Sequence, residues 1–122
     1  MPDITLGASI AVTKGNLNQS LYAAGVTAAM SQAGLRTTVY TLSTTATAIS
    51  TANLTSVGIA YFRNIATDTA ATAVVSVSNG GAAVPFAAPR PGEPAMLRLA
   101  PGVSFSAVGH TAAILRVDIT EG

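Results

Sequence analysis

The chain has 122 residues, 49% of them hydrophobic and only 9% charged, with a net charge of +1 and no cysteine. That length suits one ordinary domain with a core able to stand without covalent staples, and the missing cysteines exclude disulfides and thiolate metal sites. Six basic residues against five acidic ones exclude nucleic acid as the main partner, because phosphate binding needs clustered Lys and Arg.

From the start, the dominant period is two. Ile4, Leu6, Ala8, Ile10 and Val12 alternate with Thr5, Gly7, Ser9, Ala11 and Thr13, the pattern of a half-buried strand, until Lys14-Gly15-Asn16 breaks it. Residues 17–33 fit two periods. Leu17, Leu21, Ala24 and Ala28 have helical spacing, whereas Val26, Ala28 and Met30 alternate; two short strands around Ala24-Gly25 are the expectation. A strand rich in β-branched residues follows over 37–42, then a Thr/Ala/Ser tract with a weak strand near 45–49. Residues 57–65 are apolar on both faces for much of their length, as a central strand should be. Ala73, Val75 and Val77 alternate, Asn79-Gly80-Gly81 suits a tight hairpin, and a short strand covers 83–87. Pro91-Gly92 and Pro101-Gly102 both suit the central positions of a type II turn. Between them Ala95, Leu97 and Leu99 alternate with Met96 and Arg98. Val103, Phe105 and Ala107 follow, Gly109-His110-Thr111 is read as a turn, and the last strand points Leu115, Val117 and Ile119 inward with Arg116 and Asp118 outward.

This spacing of strands and turns predicts an all-β fold, an antiparallel sandwich of eight to ten short strands. One domain is expected over residues 1–122, with residues 1–33 as a more extended N-terminal region. The core must be thin, because 24 Ala and 16 Thr stand against 3 Phe, 3 Tyr and no Trp. Low surface charge, unusual for a free monomer, points either to cover by other chains or to a domain coated with Thr and Ser. The Met1-Pro2-Asp3 start does not read as a signal peptide, and polar residues interrupt every apolar run before the length of a membrane span.

Chemistry is sparse. His110, the only histidine, stands at the expected turn without supporting acids. Asp3, Asp68, Glu93, Asp118 and Glu121 form no close pair or calcium-loop pattern, and no Gly-x-Ser-x-Gly occurs. The chain is therefore expected to be no enzyme, with no catalytic, metal or cofactor-binding residue and no cofactor. Arginine outnumbers lysine five to one, which reflects either codon or compositional bias or the enrichment of Arg at protein interfaces. Arg63, Arg90, Arg98 and Arg116 are the candidate interface residues. Arg63, following an apolar run on a central strand, needs a carboxylate or carbonyl partner.

Three segments together carry a resemblance: 56–65 (Ser-Val-Gly-Ile-Ala-Tyr-Phe-Arg-Asn-Ile), 92–102 (Gly-Glu-Pro-Ala-Met-Leu-Arg-Leu-Ala-Pro-Gly) and 114–121 (Ile-Leu-Arg-Val-Asp-Ile-Thr-Glu). They resemble an aromatic-rich strand, a Gly-Glu turn with apolar strand and Pro-Gly turn, and a closing strand with acidic tail. Those are features of small virion structural proteins of tailed bacteriophages. The resemblance implies a jelly-roll-like sandwich that assembles with copies of itself, and no catalytic residues. The expected function is capsid decoration, that is, cement binding across capsid subunit boundaries as a homotrimer. The expected partners are the major capsid protein and the chain itself, with no nucleic acid and no membrane. The expected location is the capsid surface of the virion, after synthesis in the bacterial host cytoplasm. The N-terminal region is expected to extend along neighbouring subunits. A neck, fibre or tail protein is the alternative on the particle, and a carbohydrate-binding β-sandwich module the alternative from another class.

Overall fold

In the computed structural model, residues 3–30 and 32–122 are described; Met1, Pro2 and Ser31, all in the expected N-terminal region, lie outside the described residues. Ten strands and no helix make up these residues, so the fold is all-β as the alternation predicts. The chain divides into two compact units, at the boundary between Ser31 and Gln32.

The first unit is a single long hairpin of β1 (Ile4–Lys14) and β2 (Leu17–Ala28). Lys14 pairs with Leu17 across a two-residue turn, and Gly15 takes a φ of 58° at its first central position, as a type II′ hairpin turn requires. The expected break at Ala24-Gly25 is not a break. β2 runs through it, and the register instead slips by one residue, Leu6 facing Val26 but Ala8 facing Ala23. The extra residue is a β-bulge, with Gly25 at a φ of 69° supplying the left-handed position such bulges favour. The bulge also restores the phase. Directly opposed residues share a face, so Leu17, Leu21 and Ala23 before it and Val26 and Ala28 after it join Ile4, Leu6, Ala8, Ile10 and Val12 on one side. The other side carries Thr5, Ser9, Ala11 and Thr13 against Thr27, Tyr22, Ser20 and Asn18.

The second unit is an eight-stranded antiparallel sandwich: β3 (Leu35–Thr41), β4 (Thr47–Ile49), β5 (Val57–Asn64), β6 (Thr72–Ser78), β7 (Val84–Ala87), β8 (Pro94–Arg98), β9 (Ser104–His110) and β10 (Ile114–Glu121). One sheet has the order β3-β10-β5-β8 and the other β4-β9-β6-β7. Inward side chains of both sheets build one core around Phe62, Val75, Phe105, Leu115, Val117 and Ile119. Within each sheet some large residues stand beside small ones, Ile119 by Ala60, Phe62 by Ala95 and Val75 by Ala107. β5 lies between β10 and β8, central as its two apolar faces require, and Leu115, Val117 and Ile119 are buried while Arg116 is exposed.

Two turns differ from expectation. The β6–β7 connection uses five residues, 79–83, with a left-handed φ at Gly80 only. Gly109 and His110 belong to β9, and the turn is made by Thr111 and Ala112, at φ values of 60° and 57°. Gly109 is needed for packing. A Cβ there would lie 2.7 Å from the Leu42 Cβ and 2.9 Å from the Ala113 Cβ, closer than two carbons can approach.

Candidate interaction surfaces

The segments quoted for the resemblance fall on three neighbouring strands, β10, β5 and β8, and their polar residues fasten those strands to loops. Inward alternation on β5 runs Ala60, Phe62, Asn64, which puts an amide in the core. Asn64 is fully buried, and such a group must be hydrogen-bonded. Its Nδ2 donates to the Pro89 carbonyl and its Oδ1 accepts from the Ala66 N–H, both at 3.1 Å. Its own carbonyl accepts from the Gly92 N–H at 2.6 Å. Beside it the turn 90–93 closes through Glu93 N–H to the Arg90 carbonyl at 2.8 Å, with Gly92 at a φ of 86°, as a type II turn demands. The Glu93 carboxylate accepts from the Arg90 N–H at 2.8 Å.

Inward alternation on β10 similarly ends at Glu121. Its side chain is buried rather than a solvated tail, its two oxygens accepting from the backbone N–H groups of Thr55 (2.7 Å) and Ser56 (3.0 Å). Those donors, Thr55 first, hold the carboxyl below its ordinary value, with the Ser56 hydroxyl adding to them and burial opposing them. Gly58 makes room for this end of the chain, since a Cβ there would meet the Glu121 carbonyl at 2.5 Å.

All five carboxylates are engaged in this way. Asp3 accepts from the Met30 N–H, Asp68 from the Ala70 N–H, and Asp118 from Thr37 Oγ1 and Arg116 Nε. Among the described residues no three metal-ligating side chains gather. His110 is exposed, opposite Thr72 at the end of β9.

The four candidate arginines are all exposed, and the fold brings two of them together. Arg63 and Arg116 are directly opposed on β5 and β10. Arg63 donates to the Gly92 carbonyl at 3.3 Å, the carbonyl partner expected for it, and Arg116 pairs with Asp118 at 3.0 Å. Arg98 is at the other end of the same sheet, opposite Ile59, and Arg90 is in the β7–β8 connection. The outer face of this sheet adds exposed apolar side chains, Leu35 and Val39 on the edge strand β3 and Met96 on β8. An apolar cleft of about 200 Å³ opens between the edge strands β7 and β8, lined by Val77, Phe86, Leu97, Val103 and Phe105, and gathers no acid or histidine.

The hairpin is the second surface, and composition alone did not point to it. Its apolar face leaves Ile10, Leu17 and Leu21 60%, 55% and 53% exposed, and Asp3 and Lys14, at its two ends, are its only charges among the described residues. The signal was present in the alternation of residues 4–12, which demands cover on one side.

These features define an all-β protein of two units whose distinctive groups are architectural or exposed and apolar. Compared with known proteins, the chain matches no family model, no curated protein and no solved structure.

Proposed function

We propose that the chain is a non-enzymatic structural protein of a tailed-phage virion, a decoration protein that reinforces the capsid by binding across subunit boundaries. The observation that carries this reading is the bare apolar face of the β1–β2 hairpin, a surface that needs another chain. The resemblance of the β5, β8 and β10 segments supplies the setting, and the eight-stranded unit is read with it as a jelly roll. Supporting that finer reading, the strands enter the two sheets alternately from β3 to β6, and β7 to β10 retrace the path in the order expected of two interlocked Greek keys. The use of all five carboxylates in hydrogen bonds to the chain's own backbone and side chains supports a structural role over catalysis. The major capsid protein and further copies of the chain are the partners in this reading, and the capsid surface its location.

Binding only to the assembled shell stabilises that shell by mass action. Particles with and without this protein, heated until they release DNA, decide the question: decorated particles should open at a higher temperature, with the protein found on the shell. Equal opening temperatures, or recovery of the protein with purified tails, would replace this function with the neck, fibre or tail reading.

A further inference from the structure

In a two-residue hairpin turn, an Asn-Gly pair takes left-handed conformations at both positions and is gripped by the ladder on either side. The Asn79-Gly80 pair has neither restraint. Its connection spreads over residues 79–83, only Gly80 is left-handed, at a φ of 80°, and the nearest strand pair is Val77 with Val84. We propose that Asn79 is a site of spontaneous deamidation, which turns this neutral loop into a negatively charged one.

Three observations carry the chemistry to Asn79. First, the reaction needs the backbone nitrogen of the following residue to reach the asparagine's side-chain carbonyl carbon, and a side chain on that following residue obstructs the approach. Of the five asparagines only Asn79 precedes glycine; Asn16, Asn18, Asn53 and Asn64 precede Leu17, Gln19, Leu54 and Ile65. Glycine also supplies the torsional freedom that ring closure requires. Second, nucleophile and target are both unengaged. Among the described residues nothing accepts from the Gly80 N–H or bonds the Asn79 amide, and the Ser78 Oγ bond to the Gly81 carbonyl, at 2.7 Å, passes them by. By contrast, the Leu54 N–H after Asn53 donates to the Thr51 carbonyl at 3.2 Å, and the Ile65 N–H after Asn64 to the Ile114 carbonyl at 2.9 Å. Third, residues 79–83 are all exposed, and nothing lies within 4 Å of where a Cβ would stand on Gly80 or Gly81. Water reaches the loop, and the backbone has room to bend into a ring.

The Gly80 nitrogen gives up its proton to solvent and attacks Asn79 Cγ. A C–N bond forms, the Cγ–Nδ2 bond breaks and ammonia leaves, which closes a five-membered succinimide. Water then opens the ring. Hydrolysis at the side-chain carbonyl leaves an aspartyl residue, and hydrolysis at the backbone carbonyl leaves an isoaspartyl one. One water enters and one ammonia departs, with no oxidation or reduction. Either product carries a carboxylate ionised at neutral pH. Six basic residues then face six acidic ones, and the net charge of +1 falls to zero, the condition that favours association and precipitation.

This chemistry does not rest on the virion reading. The full chain, held for days at mildly alkaline pH, should release ammonia and gain the small mass of an amide-to-acid exchange, located at position 79 by peptide mass spectrometry. On isoelectric focusing the aged chain should migrate with the fresh Asn79→Asp variant. Asn79→Gln should keep its mass and its position, because its longer side chain would have to close a six-membered ring. The rate should climb with pH, since the attacking nitrogen must lose its proton. Repeating the incubation in urea tests the part played by the loop, and the folded chain should react at a rate close to that of the unfolded one. Protection of the folded chain by an order of magnitude or more overturns the proposal, because the loop would then be closed. An unchanged mass, or conversion first at another asparagine, overturns it as well.

Discussion

Asn64→Ala removes the side chain that ties β5 to the loop before β8. Truncation orphans two backbone groups, the Pro89 carbonyl and the Ala66 N–H, each bonded to Asn64 at 3.1 Å. Both residues are themselves buried. A buried group left unsatisfied costs about 1–3 kcal/mol, so the pair predicts a loss of about 4 kcal/mol. Against a total of about 5–15 kcal/mol for an ordinary domain, this is a large share. The melting temperature should fall by roughly 15–30 °C at fixed protein concentration, followed by circular dichroism, with urea titration as the second measure. Asn64→Asp sharpens the test. It keeps the acceptor for Ala66 but turns a carboxylate oxygen toward the Pro89 carbonyl, raising that carboxyl's folded pKa above its unfolded value. The folded state then binds the extra proton, so this variant should be least stable at pH 7 and should draw closer to wild type as pH falls toward its unfolded value. A loss below about 1 kcal/mol for Asn64→Ala, or an Asp variant indifferent to pH, would refute the assignment of Asn64 as the clip.

Gly109→Ala should destabilise by about 1–3 kcal/mol through overpacking, because its Cβ would press on Leu42, Ala113 and the Thr72 carbonyl, whereas Gly81→Ala, with nothing within 4 Å, should leave the thermal melt within a few degrees of wild type. Glu121 contributes stability that is present above its ordinary value of 4.5 and is lost as pH falls through the lower folded value; Glu121→Gln should therefore melt earlier than wild type at pH 7, and the gap should close in acid titrations below pH 4.5.

Alternation made the sandwich legible. Where a strand buries one side, a period of two fixes which residues enter the core, and Leu115, Val117 and Ile119 lie inward for that reason. The same phase, carried one step further on β10 and β5, places Glu121 and Asn64 on the inner side. A polar residue at an inward position is a signal of a buried clip, and residue type alone hid it. Residues 17–28 were harder because the bulge at Ala24-Gly25 inserts one residue into an otherwise regular alternation, and the slip imitates helical spacing. Turn chemistry misled at Gly109, where the glycine serves close packing and two non-glycine residues take the left-handed conformations. The hairpin's bare face was invisible to composition, since its alanines, leucines and valines look the same as core residues until pairing shows which side they occupy.

The placement of the resembling segments bears on what they can argue. Each contains a polar side chain that pins backbone: Asn64 on β5, Glu93 before β8 and Glu121 on β10. Residues of this kind are demanded by the sheet order and the turns, whatever the protein binds, so the likeness speaks first for architecture and only through it for a role. Binding must then reside in side chains that the architecture does not require. Arg98 has no structural task of that kind. Arg63 holds an exposed loop carbonyl and Arg116, itself exposed, a half-buried carboxylate, and ion pairs at the surface contribute little to stability. The hairpin's apolar face goes further, because it is a cost to the free chain in water. A contiguous exposed apolar face of this kind marks an interaction surface.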